Sequence, residues 1–345
     1  MKHIGYYIFL IFFLIIFIPV VVLGGVGEGL KLPVIINRIP SFLNQPEDVK
    51  KVDSDIKVKV YDVKKGKIIE LNLEDYVAGV VSAEMPVSFH IEALKAQAIA
   101  ARTFVLANMI SQGGSGCSKC KGADVCSDVH CQAWLSKEER LKLWAPEVAL
   151  SNWNKIMEAV NSTKGLVITY NGQIAKHVKY HSTSGGKTED SRYVFGYQEP
   201  YLVSVESPYE EEAPNYITTV VMTKQEFVRR IKQLSPSIKI DEKKLANQIK
   251  ILDWTEGGRV NKIKIGDQEF TGIDIRWAMG LKSAAFSIKI DSKNVTFTVK
   301  GYGHGVGMSQ WGANEMGKRG YTYNQIIKHY FKGVEIKNID EVLKN

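Results

Sequence analysis

The chain has 345 residues, with 45 Lys and Arg against 37 Asp and Glu, so its formal net charge is +8. Hydrophobic residues at 45% and charged residues at 24% are ordinary globular values, which exclude a wholly disordered, collagen-like or disulfide-packed chain. Only one stretch is apolar enough to span a bilayer, so a polytopic membrane protein is excluded as well.

That stretch, residues 4–23, carries no charge and is long enough to cross a membrane as a helix. Lys2 precedes it, which predicts a cytoplasmic N-terminus with the rest of the chain outside. A cleaved signal peptide is the alternative, but LGGVGEG is a poor cleavage site and the apolar core exceeds the usual ~7–15 residues. We therefore interpret residues 1–27 as an anchor. A chain of net positive charge favours polyanionic partners. Because this chain is predicted to be exported, we expect an anionic wall polymer and not nucleic acid.

Residues 28–52 are rich in proline and have no clear period, so they are interpreted as a linker before a domain spanning 53–345. The domain opens with a predicted hairpin, in which IKVKVYD and IIELNL flank a turn at Lys65-Gly66. The Ala-rich run from His90 to Met109 then predicts a mostly buried helix, because its apolar residues recur at helical spacing.

All four cysteines lie together in the run CSKCKGADVCSDVHC. Disulfides of exported proteins usually join distant segments, so the clustering favours a local metal knot. Thiolates mixed with an imidazole at C-x2-C spacing are typical of zinc. Two small local disulfides and free thiols are the alternatives. The run offers two cysteine pairs, Cys117 with Cys120 and Cys126 with Cys131, and His130 beside Cys131.

The middle of the chain carries clear boundary signals. Ser136-x-x-Glu139 is a capping-box pattern that predicts a helical stretch, interrupted by Pro146. Asn171-Gly172, between LVITY and QIAKHVKYH, predicts a hairpin with a type I′ turn.

In the last third, Thr223-x-x-Glu226 predicts another helix, FSIKI and VTFTV predict strands, and NQIIKHYF predicts the final helix. The composition shifts over 205–295, which makes this stretch a candidate inserted subdomain. Helical and strand signals are mixed along the chain without repeats, and the predicted fold class is α+β, with antiparallel sheets.

Glu84, in Ala83-Glu84-Met85-Pro86, is the first candidate site residue. It follows the apolar run YVAGVVSA, and poor solvation raises the pKa of a carboxyl group, which makes it an acid usable near neutral pH. The plain alternative is a partly exposed glutamate at the entry of the next helix, where the positive helix N-terminus stabilises its charge.

Two glycine-rich motifs supply the other candidates. YHSTSGGKTE presents Tyr180, His181 and Ser184 ahead of paired glycines, which allow a ligand to approach the backbone closely. GYGHGVGMSQWGA presents His304 and Gln310 beside aromatic faces suited to sugar rings, and it matches neither a P-loop nor a dinucleotide site. A structural loop or turn is the alternative for each motif.

Together with EALKAQAIAARTF, ADVCSDVHCQAW and FTGIDIRWAMGLKSAAF, these motifs resemble, in order, the stage II sporulation protein D family. That family comprises membrane-anchored peptidoglycan lytic transglycosylases of endospore-forming bacteria, and the amidase enhancers share its domain. The resemblance covers nearly the whole chain. It implies that Glu84 is the catalytic acid/base, that Arg102 and Lys187 are functionally required, and that no cofactor is needed for the chemistry. It also implies a structural zinc in the Cys/His run, with Cys126, His130 and Cys131 as candidate ligands and Cys117 and Cys120 as additional candidates.

The resemblance further implies cleavage of the MurNAc–GlcNAc bond with formation of 1,6-anhydroMurNAc ends. It implies peptide-stripped glycan strands as substrate, the septal space during engulfment as location, and a peptidoglycan amidase and a multispanning membrane protein as partners. The main alternative is a non-catalytic, wall-binding activator of an amidase. A two-carboxylate muramidase, with Asp75 as the nearest upstream acid, and a metal-dependent peptidase are further alternatives.

Overall fold

The computed structural model describes residues 56–343, so the predicted anchor and linker both lie outside the described residues. Within this range no helix is both long and apolar enough to cross a membrane. Helices and mainly antiparallel sheets are mixed along the chain, which confirms the mixed helix and strand composition of the predicted class.

The helices of this range, in chain order, are α1 (Leu73–Glu84), α2 (Ile91–Asn108), α3 (Lys137–Leu143), α4 (Pro146–Ser162), α5 (Ser191–Phe195), α6 (Lys224–Leu234), α7 (Gly272–Met279), α8 (Gln310–Lys318), α9 (Tyr323–Tyr330) and α10 (Ile339–Leu343). The strands are β1 (Lys57–Asp62), β2 (Lys67–Asn72), β3 (Val125–Cys126), β4 (Leu166–Tyr170), β5 (Gln173–Ile174), β6 (Tyr180–His181), β7 (Ile217–Thr223), β8 (Ile249–Trp254), β9 (Val260–Ile265), β10 (Gln268–Thr271), β11 (Phe286–Ile290), β12 (Asn294–Lys300), β13 (Met308–Ser309) and β14 (Glu335–Asn338).

Most local predictions are confirmed. β1 and β2 form the predicted hairpin, with Gly66 at φ +64° in its turn. Asn171 and Gly172 both have positive φ, at 50° and 79°, as a type I′ turn requires. The interpretation of QIAKHVKYH as one continuous strand is wrong, because only β5 and β6 are extended and a loop separates them.

α2 is the centre of the main core. It packs against α1, α4, β4, α8 and α9, and residues along its whole length are buried, including Leu94, Ile99 and Val105. Its start differs slightly from the prediction, since the His90 side chain caps the helix and accepts from the Glu92 N–H. Burial on every side explains why an Ala-rich sequence forms this helix: small side chains let several elements approach it closely.

A second hydrophobic core lies between two three-stranded sheets, with strand orders β11-β12-β7 and β10-β9-β8, and helices α6 and α7. Its buried residues, such as Phe227, Ile263 and Phe297, all come from positions 222–299. The boundaries 205–295 of the candidate inserted subdomain stay a prediction.

A short parallel pairing positions the two glycine-rich motifs. Tyr180 of β6 pairs with Met308 of β13, and His181 pairs with Ser309. A separate antiparallel bridge joins Thr183 to Tyr302, so the two motifs lie side by side although more than a hundred residues separate them in sequence.

Candidate functional site

Glu84 is the last residue of α1 and is half-buried. Its Oε1 accepts a hydrogen bond of 2.9 Å from the backbone N–H of Ala133, and its Oε2 accepts one of 3.4 Å from Nε2 of Gln310. The helix-entry alternative is wrong, since Glu84 ends α1 and six residues separate it from the start of α2. The carboxyl group instead contacts the first residue of α8, Gln310.

Burial raises the pKa of Glu84, and the hydrogen bonds from Ala133 and Gln310 oppose that rise. The direction agrees with the expectation drawn from the apolar run before it. A raised pKa keeps a larger fraction of the carboxyl group protonated near neutral pH, as a general acid requires.

A buried polar layer borders the carboxyl group. The Tyr76 hydroxyl donates to Oε1 of Gln132 at 3.0 Å. The Tyr180 hydroxyl lies near the amides of Gln97 and Gln132 without hydrogen-bond geometry, and both amide atoms of Gln97 lack a partner among the described residues. Burial and the neighbouring Glu84 carboxylate raise the pKa of both tyrosines, so both hydroxyls stay protonated. Tyr76 uses its proton on Gln132, and the Tyr180 hydroxyl remains available as a donor.

A cavity of about 400 Å³ opens in front of Glu84. Among the described residues that line it, Glu84 is the only one with a carboxyl group. Its wall includes Tyr180, His181 and His304, which the sequence singled out, together with Cys131 and His130 of the Cys/His run and three further side chains, Lys179, Phe195 and Arg276. The site therefore combines segments that lie far apart in the chain, from Glu84 to His304.

The two histidines are neutral and hold opposite tautomers. His181 Nδ1 lies 3.2 Å from the Val306 carbonyl oxygen, so it carries the proton and donates. His304 Nδ1 instead accepts from the Val306 N–H at 3.0 Å. Burial lowers the pKa of both rings, that of His304 to about 3. His181 Nε2 is buried, has no partner and is left as an acceptor.

Four predicted residues do not line this cavity: Gln310, which contacts Glu84 from outside the lining, and Arg102, Ser184 and Lys187. Arg102 is fully buried and binds Glu74, with Nη2 2.5 Å from Oε2 and Nε 3.0 Å from Oε1, at the other end of α1. The Ser184 hydroxyl donates to the buried carboxylate of Glu210 at 2.8 Å. Lys187 faces Glu206 at 3.7 Å and is partly exposed.

The predicted metal ligands come together. Ligand atoms of Cys117, Cys126, His130 and Cys131 all lie within 4.8 Å of one another, and all four cysteines are free thiols. Cys117 Sγ is 3.7 Å from Cys131 Sγ, and His130 Nδ1 is 3.5 Å from Cys131 Sγ. Cys120 is not one of these four, although its thiol interacts with those of Cys117 and Cys126. The knot is coupled to the carboxyl site, because Ala133, which donates to Glu84, follows Cys131 by two residues.

Asp75, the second acid of the muramidase alternative, lies in the first turn of α1 and is exposed. Nine residues of helix place it about 13 Å along the axis from Glu84, and on the opposite face. Paired carboxyl groups of glycosidases are roughly 5–9.5 Å apart, so these two do not form such a pair.

Sequence reasoning missed Gln132, Lys179 and Arg276. Gln132 and Arg276 stand inside motifs that were noted, ADVCSDVHCQAW and FTGIDIRWAMGLKSAAF, and Lys179 directly precedes the YHSTSGGKTE motif. No local sequence pattern marks these residues. They stand out only in the structure, because they line the cavity in front of Glu84.

Comparison with known proteins identifies a matching family model and similar proteins that carry the same family name. The family model described as "Stage II sporulation protein" matches residues 61–170. The chain is 38% identical to stage II sporulation protein D of Bacillus subtilis, over 84% of this chain and 81% of that protein. It is 37% identical to stage II sporulation protein D of Bacillus amyloliquefaciens, over the same shares. An amidase enhancer of Bacillus subtilis is 29% identical over 75% of this chain and 40% of its own length. At this identity and coverage, the chain belongs to the stage II sporulation protein D family.

Proposed function

We propose that the chain is a lytic transglycosylase that cleaves the MurNAc–GlcNAc bond of peptidoglycan strands during sporulation. The observation that carries this proposal is Glu84: a single carboxyl group of raised pKa in a cavity whose described lining holds no second one. Hydrolysis by the usual two-carboxylate routes needs a partner carboxylate within reach, whereas an intramolecular reaction does not.

The reaction follows from one acid that acts twice. Protonated Glu84 donates its proton to the glycosidic oxygen, that bond breaks, and the muramyl C1 gains oxocarbenium character. The resulting Glu84 carboxylate accepts the proton of the same sugar's C6 hydroxyl, whose oxygen bonds to C1 and closes the 1,6-anhydro ring. No water is consumed, and Glu84 ends protonated again. The N–H of Ala133 and the amide of Gln310 stabilise the ionised form between the two steps.

The test is mass spectrometry of the products that the full-length chain releases from purified, peptide-stripped glycan strands. We expect muramyl ends lighter by one water than hydrolysis products. Glu84→Gln should remove cleavage while the chain stays folded, and Glu158→Gln, an exposed glutamate on α4, should cleave as the wild type does. Hydrated reducing ends, or cleavage by the Glu84 variant, would refute the assignment.

A second candidate, a non-catalytic activator of a peptidoglycan amidase, is supported by the likeness to the amidase enhancer. The two functions differ in their dependence on Glu84. An activator should stimulate an added amidase equally well as wild type and as Glu84→Gln, and it should release no glycan fragments. Membrane anchoring, an extracytoplasmic location, and a multispanning membrane protein as a further partner belong to the same proposal, and co-purification from sporulating cells tests them.

We also propose that Cys117, Cys126, His130 and Cys131 bind one structural zinc ion. Tetrahedral zinc with the usual Zn–S and Zn–N bonds places two sulfurs about 3.8 Å apart and a sulfur about 3.6 Å from a nitrogen. The S–S separation of 3.7 Å and S–N separations of 3.5–3.8 Å fit these values. Four protein donors leave no open position, which argues against a metal-dependent peptidase.

Metal analysis with thiol titration tests the zinc proposal. We expect one zinc per chain and protection of three thiols. Cys117→Ser should lose the zinc, whereas Cys120→Ser, the matched cysteine outside the group of four, should keep it. Retention of zinc by Cys117→Ser, or its loss from Cys120→Ser, would contradict the ligand set.

A further inference from the structure

A second cavity, of about 430 Å³, adjoins the Glu84 cavity. The two share part of their lining, including Phe195, His304 and Arg276. Because a glycan strand is longer than one cavity, the shared wall is where the sugar next to the cleaved bond would pass. The side chains at this junction can therefore select the substrate.

Arg276, in the last turn of α7, is an unpaired cation at that junction. Among residues 56–343 its guanidinium makes no ion pair and no hydrogen bond, and its Nε is buried without a partner. Its contact is with the ring of Trp277, 4.9 Å from the guanidinium carbon to the ring centre. The other arginine in the described lining of these cavities is Arg259. It is paired, since it donates to three backbone carbonyls and faces Glu189.

The Nε–H of this half-buried guanidinium is a strong donor that is buried and unsatisfied, which is costly unless a ligand supplies the acceptor. The planar fork of donors matches a carboxylate, which it binds through two parallel hydrogen bonds. Lys179 also lacks a carboxylate partner, but its ammonium lies 5.1 Å from the centre of the Phe195 ring and 5.5 Å from that of Phe104. Both cations thus contact aromatic rings, and Arg276 is the better carboxylate ligand because only its planar guanidinium can donate two parallel hydrogen bonds.

We propose that Arg276 binds the free lactyl carboxylate of MurNAc, so that it selects strands from which the stem peptide has been removed. The inference rests on the proposed function and names its specificity residue. While the stem peptide is attached, the lactyl group is a neutral amide and offers no anion at this position. Trp277, 72% exposed in the lining of the second cavity, provides a flat face for the adjoining sugar ring.

The proposal orders two reactions. A reaction that hydrolyses the amide between the lactyl group and the peptide must precede cleavage of the strand, because it creates the carboxylate that Arg276 binds. Substrate selectivity then depends on the charge of the lactyl group and not on the length of the strand.

Calorimetric binding on a Glu84→Gln background tests the proposal without relying on cleavage. The ligands are peptide-stripped strands, the same strands with lactyl carboxylates converted to methylamides, and GlcNAc oligomers of equal length. We expect Arg276→Gln to weaken binding of the stripped strands about tenfold or more and to leave the other two ligands unchanged. Arg276→Lys should fall between, because it keeps the charge and loses the fork.

Arg229→Gln is the matched control, since this arginine is exposed, paired with Glu226 and outside both cavities. Equal losses for charged and neutral ligands in Arg276→Gln would overturn the proposal, as would a selective loss in Lys179→Gln and not in Arg276→Gln. If the proposed transglycosylase function is wrong, the result differs. The wild type would then release no anhydro products from stripped strands, although charge-selective binding persists.

Discussion

At the residue scale, the protonation of Glu84 is set by opposing contacts. Burial favours the neutral acid, and the two hydrogen bonds from Ala133 and Gln310 favour the carboxylate. In the proposed mechanism one acid first gives and then takes a proton, and each of its two forms is favoured by one of these opposing influences. A substitution can remove the hydrogen bond from Gln310, because its donor is a side chain. The hydrogen bond from Ala133 comes from the backbone and would remain.

Gln310→Met removes a hydrogen bond that the ionised form of Glu84 receives, so the pKa of Glu84 should rise further. The acid is lost as pH rises through that pKa, and the alkaline limb of the kcat profile should therefore move to higher pH. Cleavage of stripped strands measured across pH tests this prediction. A limb that stays in place would mean that Gln310 does not act on Glu84.

At the element scale, α1 is fixed at both ends. Its first turn is held by the ion pair between Glu74 and the buried Arg102 of α2, and its last residue is Glu84, about 15 Å away along the axis. Arg102 also donates to the carbonyl oxygens of Leu166 and Val160, so one side chain joins α1, α2, α4 and β4. On this geometry Arg102 is a positioning residue.

Arg102→Met should lower the free energy of unfolding by about 3–5 kcal/mol, because it leaves the Glu74 carboxylate and two carbonyls without their donor. Denaturant unfolding measures the change. A structural role requires that Glu74→Met reproduce much of the loss in stability and activity and that the double variant cost less than the sum. Full activity in a destabilised Glu74 variant, with none in Arg102→Met, would instead point to a direct role for Arg102.

Gly79, in the middle of α1, lets the segment after Ala133 approach the helix. A Cβ there would lie 2.2 Å from Nε1 of Trp134 and 2.7 Å from the Leu135 carbonyl oxygen. Helix propensity alone predicts that Gly79→Ala gains about 1 kcal/mol. We expect the clash to dominate, so the variant should melt at a lower temperature and cleave more slowly because Ala133 shifts from Glu84. A higher melting temperature would contradict this.

Sequence predicted the elements better than the site. Local signals were enough for the β1–β2 hairpin, for α2 and for the turn at Asn171-Gly172, because spacing and turn chemistry act between near neighbours. Apolar neighbours were enough to predict the raised pKa of Glu84. The bond from Gln310 to Glu84 spans 226 residues, and the tautomers of the two histidines depend on Val306, so no local pattern contains them.

At the scale of the whole molecule, the net charge of +8 belongs to a protein whose proposed substrate is a polyanion once its peptides are removed. Long-range attraction between exposed charges is screened over about 8–10 Å at ordinary salt. Charge of this kind accelerates encounter with the strand, and the junction at Arg276 then selects it.

Affinity for peptide-stripped strands should therefore fall steadily as sodium chloride is raised, while affinity for neutral GlcNAc oligomers should not change. Binding titrations at several salt concentrations measure both ligands under one protocol. Equal salt dependence for the charged and the neutral ligand would show that the surface charge has no part in binding the strand.

The parallel pairing of β6 with β13 has a consequence for how the protein comes into being. Contacts between residues this far apart in sequence form late in folding, since the whole intervening chain must first be ordered or closed into a loop. Glu84 is synthesised early, yet its partner Gln310 and the β13 strand are not available until nearly the whole chain exists. A nascent or truncated chain that ends before residue 300 therefore has no assembled site, and the proposed cleavage would have to wait until synthesis is nearly finished.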